Sequence, residues 1–509
     1  MPRYAAIDIG SNSVRMMAAE VDRQGTFQVL AEDRQVTRLG ESVFRTGSID
    51  PSSFDLLSSV LQRMAAAYKP LGVLALRAVA TAAVRDASNG GDFLDLVSNV
   101  LGQPAELISG QEEARLIHLG VETRWPHPTE RILIIDIGGG SAEIIEADQG
   151  SLKVAFSRPL GAVRLHSNFL LDDPPAPADL TRLQDFIKEK LAVVTRRISP
   201  GNFVRAIGTS ASASAIVCAA NRIPRARRTD ADRRRATLPQ IRRLYRDLSQ
   251  MTIAQRRAVT GIGPRRAEII VPGAAVLAAV LDHFRIPHLA YCSAGVRDGI
   301  LRDLAERGAG DERIRLDREQ RLLTENFARR FGVDLKHARK VSIFARELFL
   351  ALEPLHRLSP EQGRLLEAAA YLRDTGHAIN DMGHHKHSQY IVANSDLAGF
   401  TDSERVEVAM LCRYHRKAMP SSRHSDFTSL APDRQRVITL LSTILRLADA
   451  LDRSRDQRIS SISCSLQPAA VTLTLTSPSD VSLERWALER AAPQFRQVFQ
   501  RPLTIGSVP

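Results

Sequence analysis

The stretch AAIDIGSNSVRM, residues 5–16, is written a second time with small changes as LIIDIGGGSAEI, residues 133–144. Each copy runs from an apolar strand through Asp-Ile-Gly and a turn of small residues into a second apolar strand. The first reads as strand, Gly turn and strand from Tyr4 to about Leu30, and Arg131 to Ala147 reads the same way. Each continues into a third strand, FQVLAEDRQVTRLG from Phe27 and KVAFSRPLG from Lys153, giving two antiparallel meanders. After the first, the periodicity predicts an amphipathic helix over Ser53–Tyr68, a buried strand from Val73, and helices near Asp92–Leu101 and Glu112–Glu122. After the second it predicts a helix over Ala178–Arg197, a strand from Phe203, further helices, a strand from His288 and a helix after Gly295. The phrase is repeated because an α/β lobe is repeated, with a boundary near Arg124–Thr129, and two lobes facing one another enclose a cleft.

At 509 residues and 44% hydrophobic composition, the chain is long enough for several domains with cores of their own. No charged-then-apolar signal opens it. The longest apolar run, IIVPGAAVLAAVL from Ile269, is too short to span a bilayer and carries Pro272 and Gly273. A soluble, cytoplasmic protein is expected. The four cysteines are far apart with no CxxC spacing, which suggests neither a disulfide framework nor a thiolate zinc site. A formal charge of +12 calls for an anionic partner. Only 5% of residues are aromatic and none alternate with basic residues as a base-stacking platform would, so nucleic acid and membrane give way to a simpler polyanion.

A strand that ends in Asp-x-Gly and turns through small residues presents backbone N–H groups to phosphate oxygens. Gly10, Ser11, Asn12 and Ser13 in the first turn, and Gly138, Gly139, Gly140 and Ser141 in the second, are the candidate phosphate contacts. The glycines are expected to supply positive φ and close backbone approach. Asp8 and Asp136 precede the turns, where a carboxylate can hold a divalent cation. A third turn, AIGTSASASA from Ala206, places Gly208, Thr209 and Ser210 at a helix N-terminus, another anion site. Taken alone, each turn is equally a Gly-rich hairpin or an ordinary cap.

A base is needed as well. ISGQEEARLIHLG puts Glu112 and Glu113 at a helix start, and adjacent residues point about 100° apart, so only one can face the cleft. Ser109-Gly-Gln-Glu also reads as a capping box.

These motifs, together with ATAAVRDASNGGDFL, GTSA, RRAEIIVPGAAVL and SAGVRDGIL in order over residues 4–302, resemble the exopolyphosphatase and guanosine pentaphosphate phosphohydrolase (Ppx/GppA) family. The resemblance implies an α/β fold of duplicated lobes of the actin, heat-shock ATPase and sugar kinase type, related to ribonuclease H. It implies hydrolysis of the terminal phosphoanhydride bond of polyphosphate with Mg2+ or another divalent cation such as Mn2+. It carries the catalytic base over to Glu113, metal contacts to Asp136 and Glu143 beside Asp8, and phosphate contacts to Asn12, Arg85 and Arg266. The Arg-rich segment Arg222–Arg246 follows the third turn. Thr237–Gln240 reads as a capping box and Ile241, Leu244 and Leu248 as a buried face, so the arginines are either a solvated surface or a track for the distal chain.

The expected domains are 1–125, 126–304, a linker at 305–316, a helical domain at 317–456 with Asp334 as an N-cap, and a small α+β tail at 457–509. The helical part resembles the His-Asp phosphohydrolase (HD) fold, in which a His-Asp pair binds metal. Here the pair reads Arg373-Asp374, and a guanidinium cannot ligate a metal. His337, His384, His387, His415, Asp374 and Asp449 are therefore expected to be structural or to line a polyanion groove, not to hold a metal. Guanosine pentaphosphate (pppGpp) is the rival substrate, and a non-hydrolytic polyphosphate or alarmone sensor the rival class. The resemblance also implies a homodimer.

Overall fold

The computed structural model describes residues 1–21, 26–306 and 314–508, apart from the side chains of 507 and 508. The chain forms two compact units, Met1–Glu306 and Arg307–Pro509. Of the expected linker, residues 307–313 lie outside the described residues. Ile314 and Leu316 do not behave as linker: both are buried in the core of the second unit.

In the first unit, β1 (Arg3–Ile9), β2 (Ser13–Val21), β3 (Phe27–Val36), β4 (Ala75–Ala80) and β5 (Ala105–Leu107) form one sheet in the order β3-β2-β1-β4-β5. The β1–β2–β3 meander is antiparallel, and β4 and β5 add in parallel. A second sheet repeats this arrangement with β6 (Arg131–Ile137), β7 (Ala142–Asp148), β8 (Ser151–Arg158), β9 (Arg205–Gly208), β10 (Arg235–Thr237) and β11 (His288–Tyr291), in the order β10-β11-β9-β6-β7-β8. The central strands β1 and β6 are apolar without alternation because both faces are covered. In the first lobe Ile7, Ile9 and Met16 pack with Leu57, Leu61, Phe93 and Val97 from the helices Ser52–Tyr68 and Gly90–Leu101. In the second, Leu133, Ile135 and Ile144 pack with Ile187, Val217 and Val276. The Ile269 run is the buried core helix Ile270–His283 of this lobe.

The chain does not divide between the lobes where the sequence suggests. Helix Val296–Glu306 returns to the first lobe, where Ile300 and Leu301 join Tyr4, Ala6, Met17 and Leu116 on the other face of its sheet. The reason is apolar matching reinforced by charge. Asp303 accepts from Arg77 at 2.8 Å and from Arg115 at 2.7 Å, all three buried.

The second unit is helical, with helices Leu335–Ala351, Pro360–Leu372, Asp402–Tyr414 and Pro432–Ala450 around one core. The tail is not a separate body. The sheet β12 (Ser461–Leu466), β13 (Val471–Thr476), β14 (Leu503–Val508) and helix Ser482–Phe499 contribute Val471, Leu473, Leu475, Leu488 and Phe495 to that same core. No described helix is long and apolar enough to cross a membrane.

Candidate active site

Strand register turns the repeated phrase into two rows of side chains. Asp8 pairs with Arg15 across β1–β2, and Arg15 with Arg34 across β2–β3. In the second lobe Asp136 pairs with Glu143 across β6–β7, and Glu143 with Ser157 across β7–β8. Partners directly across a ladder share a face of the sheet, so each row points one way.

Both turns close alike, Gly10 N donating to Ser13 O at 3.2 Å and Gly138 N to Ser141 O at 3.0 Å. Among the described residues, the amides of Ser11, Asn12, Gly139 and Gly140 donate to no backbone carbonyl. The glycines are not there for positive φ, which none of Gly10, Gly138, Gly139 and Gly140 adopts. They allow close approach. A Cβ on Gly139 would lie 2.8 Å from Ser11 Cβ, and one on Gly140 would lie 2.8 Å from Ser11 Oγ and from Ala82 Cβ. The two turns therefore interlock.

They line a cavity of about 680 Å³ together with Asp8, Asp136, Glu113 and Arg266. Glu113 and Glu112 divide as adjacent helical residues must. Glu113 reaches the cavity, whereas Glu112 is buried against Arg115 at 2.7 Å and Arg77 at 3.1 Å. Because the Glu112 carboxylate is committed there, Ser109 caps the helix Gly110–Arg124 alone, accepting from Glu112 N, and the expected capping box is not made. The capping box at Thr237–Gln240 is present.

The third turn contributes less than its sequence suggests. Gly208 lies within β9, packed on Ala213 and Leu289. The Thr209 hydroxyl is buried and donates to Asp136 Oδ2. Only Ser210 lines the cavity, at φ 41°, while capping helix Ala211–Ala220. Arg85 does not line it either: its Nη1 donates to Ile108 O at 2.6 Å, and its charge acts on Glu113 and Glu143.

The carboxylates are crowded. Burial, and then the neighbouring Glu143, push Glu113 well above the usual carboxylate range, with Asp8 and Asp136 adding to the rise and Arg85 opposing it. Burial and Asp136 raise Glu143 to about 7, while its hydrogen bond from Ser157 Oγ at 2.7 Å opposes the rise. Glu113 Oε2 and Glu143 Oε2 are buried without a hydrogen-bond partner. Hard oxygen donors held this close, with orphaned lone pairs, fit a divalent cation.

Sequence reasoning missed the cationic wall opposite. Arg15, Arg34, Arg225, Arg228, Arg265 and Arg297 also line the cavity. Burial and the nearby Arg15 bring Arg266 down to about 10 and lower Arg297, the signature of guanidinium groups crowded around a space suited to an anion. Arg15 was within reach of the sequence, since it stands seven residues after Asp8 just as Glu143 stands seven after Asp136.

Residues 17–307 match the model of the Ppx/GppA phosphatase family, and residues 320–492 match its domain III. The chain belongs to the Ppx/GppA phosphatase family. Among solved structures, the Aquifex aeolicus Ppx/GppA family member is 25% identical with a TM-score of 0.53, over 61% of this chain and 99% of that one. An exopolyphosphatase-like protein is 27% identical with a TM-score of 0.57, over 60% and 97%. An exopolyphosphatase from Cytophaga hutchinsonii, at 24% identity and a TM-score of 0.55 over 59% and 97%, shares the fold. The two-lobed α/β body with a C-terminal helical domain is the actin-like architecture of that family.

In the helical domain, Arg373 fills the place that the histidine of a His-Asp pair would hold. It donates through Nε to Asp449 Oδ1 at 2.7 Å and faces His337 Nε2 at 2.5 Å, so those two potential ligands are engaged by a guanidinium.

Proposed function

We propose that this Ppx/GppA member is an exopolyphosphatase that releases orthophosphate from the end of a polyphosphate chain. The observation that carries the reading is the pairing, in one cavity, of an arginine-lined wall with the carboxylate cluster around Glu113. Seven arginines serve a polyanion of regular charge better than a nucleoside, and Tyr291 is the only aromatic ring among the described lining residues. Arg225 and Arg228, from the Arg-rich segment, belong to that lining and would bear on the distal chain.

A divalent cation such as Mg2+ or Mn2+ would be held by Asp8, Asp136 and Glu143, and when bound it neutralises phosphoryl charge and polarises the terminal group. The amides of Ser11, Asn12, Gly139 and Gly140, with the hydroxyls of Ser13, Ser141 and Ser210, hold the terminal phosphoryl oxygens. Arg266 and Arg15 hold the leaving chain. Glu113 orients a water in line with the bridging oxygen and takes its proton at the unpartnered Oε2 as the new O–P bond forms. The bond to the bridging oxygen breaks, and the shortened chain leaves as a stable anion. Thr209 orients Asp136, and Ser157 orients Glu143.

Glu113→Gln is expected to lower phosphate release from long-chain polyphosphate at least ~100-fold with Mg2+ present. Unchanged release would move the reaction out of this cavity. The second reading, removal of the terminal phosphate of guanosine pentaphosphate, rests on Tyr291 as a ring for the base. Comparing kcat/KM on the two substrates decides between them, and Tyr291→Leu should impair only the nucleotide reaction. Tight binding of either polyanion without turnover would instead make the chain a sensor.

A further inference from the structure

The replacement of a histidine by Arg373 removes one metal position from the helical domain but leaves a different set of donors converging beside it. Asp374, His377 and His384 each present one ligand atom within 4.8 Å of the others. Asp374 Oδ1 lies 3.7 Å from His377 Nε2 and 3.7 Å from His384 Nε2. A fourth donor, His415 Nε2, lies 3.4 Å from His384 Nε2. Ligands of a tetrahedral zinc ion bound at about 2.0–2.1 Å stand roughly 3.3–3.4 Å apart, so these spacings are those of a coordination shell opened slightly on the Asp374 side.

The second observation is independent of the spacing: the far nitrogen of each ring is tied. His415 Nδ1 faces Cys412 O at 2.8 Å and His384 Nδ1 faces Asp381 O at 3.2 Å, and a carbonyl can only accept, so each Nδ1 carries its proton. His377 Nδ1 donates to the Asp381 carboxylate at 2.7 Å. In a neutral ring so oriented the Nε2 lone pair is bare, and three such lone pairs point at one carboxylate oxygen. His384 and His415, both buried and near Arg373, Arg416 and Asp374, then meet lone pair to lone pair. A cation between them turns that repulsion into bonding. An Nδ1 held by a carboxylate or a backbone carbonyl is also the way ligating histidines are oriented.

We infer that the helical domain binds one transition-metal ion, zinc by the chemistry of its donors, through Asp374 Oδ1 and the Nε2 atoms of His377, His384 and His415. Three imidazoles and one carboxylate suit Zn2+ better than the hard cations proposed for the first unit. Arg373 is the structural stand-in for the neighbouring position, holding Asp449 and His337 as a cation would. The exposed Arg416, whose Nη1 is 3.2 Å from both ring nitrogens of His384, opposes the ion and must swing aside when it binds.

The test uses the full-length chain stripped with a chelator and titrated with Zn2+ by calorimetry, with metal content counted after dialysis. The wild type should retain one zinc that His384→Gln and His377→Gln lose, their affinity falling at least ~100-fold. His377 lies on a partly exposed short turn, so its variant keeps the fold even if His384→Gln does not. His387→Gln, one turn away and outside the shell, should match the wild type. Asp381→Asn should weaken binding ~10–100-fold through the His377 orientation. Arg416→Ala should tighten it several-fold by removing a like charge. Co2+ substituted into the wild type should give visible ligand-field bands that shift in His384→Gln. Equal zinc content and affinity in the wild type, His377→Gln and His384→Gln would overturn the assignment, as would a loss shared by His387→Gln. A zinc ion taken up by the carboxylates of the first unit would survive in both His377→Gln and His384→Gln, which separates the two sites.

Discussion

Seven residues after its aspartate the first meander has Arg15, and seven residues after its aspartate the second has Glu143. Register puts both directly across from that aspartate, so the same place in two copies of one motif carries opposite charge. The third members diverge as well, Arg34 in the first row and Ser157 in the second. One row thus sums to a net positive charge and the other to two negative ones. A duplicated fold first supplies two equal phosphate turns. Substitutions at one register position then make one lobe an anion seat and the other a cation seat.

The largest effect that would test this division comes from the second row. Glu143→Gln should reduce kcat on polyphosphate ~1000-fold while changing KM little, because the group acts on charge that develops at the reacting phosphoryl. Arg15→Gln should do the reverse, raising KM ~30-fold, or about 2 kcal/mol for a charge-assisted contact, with a smaller loss in kcat. Steady-state kinetics at fixed Mg2+ read both. If Arg15→Gln lost kcat as severely as Glu143→Gln with KM unmoved, the lobes would not divide the work in this way.

A smaller effect comes from the seam between the turns. Gly139→Ala places a methyl 2.8 Å from Ser11 Cβ and 3.3 Å from Asn12 N, and should lower kcat/KM ~10-fold by parting the two turns. Gly138→Ala meets only Ser141 O at 3.4 Å and should leave activity nearly intact. Equal losses from both would mean that the glycines serve the backbone conformation and not the interlock.

The duplicated lobes, the two turns and the position of Glu113 are legible in the sequence because each is written in contiguous residues with strong periodicity. What was not legible depends on register and on long-range pairing. Arg34 and Arg297 carry no local signal, and they reach the cavity only because β3 pairs with β2 and because helix Val296–Glu306 crosses back to the first lobe. The three-residue strands β5 and β10 exist because neighbours offer ladder partners, not through propensity of their own. Gly208 and Thr209 read as a phosphate turn, yet one packs against Leu289 and the other serves Asp136. In the helical domain, Arg373 obscures the donors next to it, since a motif is read by its missing letter while the geometry is set by Nδ1 partners elsewhere in the chain.

The smallest expected effect concerns two adjacent glutamates with opposite surroundings. Burial alone would raise the Glu112 carboxyl, but Arg115 and Arg77 outweigh it and hold it below the usual range, whereas Glu113 is raised by burial and by Glu143. A carboxyl held low when folded contributes stability above its unfolded value of about 4.3. That contribution is lost as the pH falls below it. Thermal unfolding of the wild type should therefore steepen its decline below about pH 4.3, and Glu112→Gln, already weakened at neutral pH by the broken buried pair, should lack that part of the decline. Glu113→Gln, which removes a charge crowded by Glu143, Asp8 and Asp136, should raise the melting temperature at pH 7 in metal-free buffer by a few degrees while abolishing turnover. Opposite signs for neighbouring, chemically identical substitutions would show that the helix start is divided between a structural carboxylate and a functional one. The same sign for both would make Glu113 another member of the buried ion cluster and remove it from the proposed chemistry.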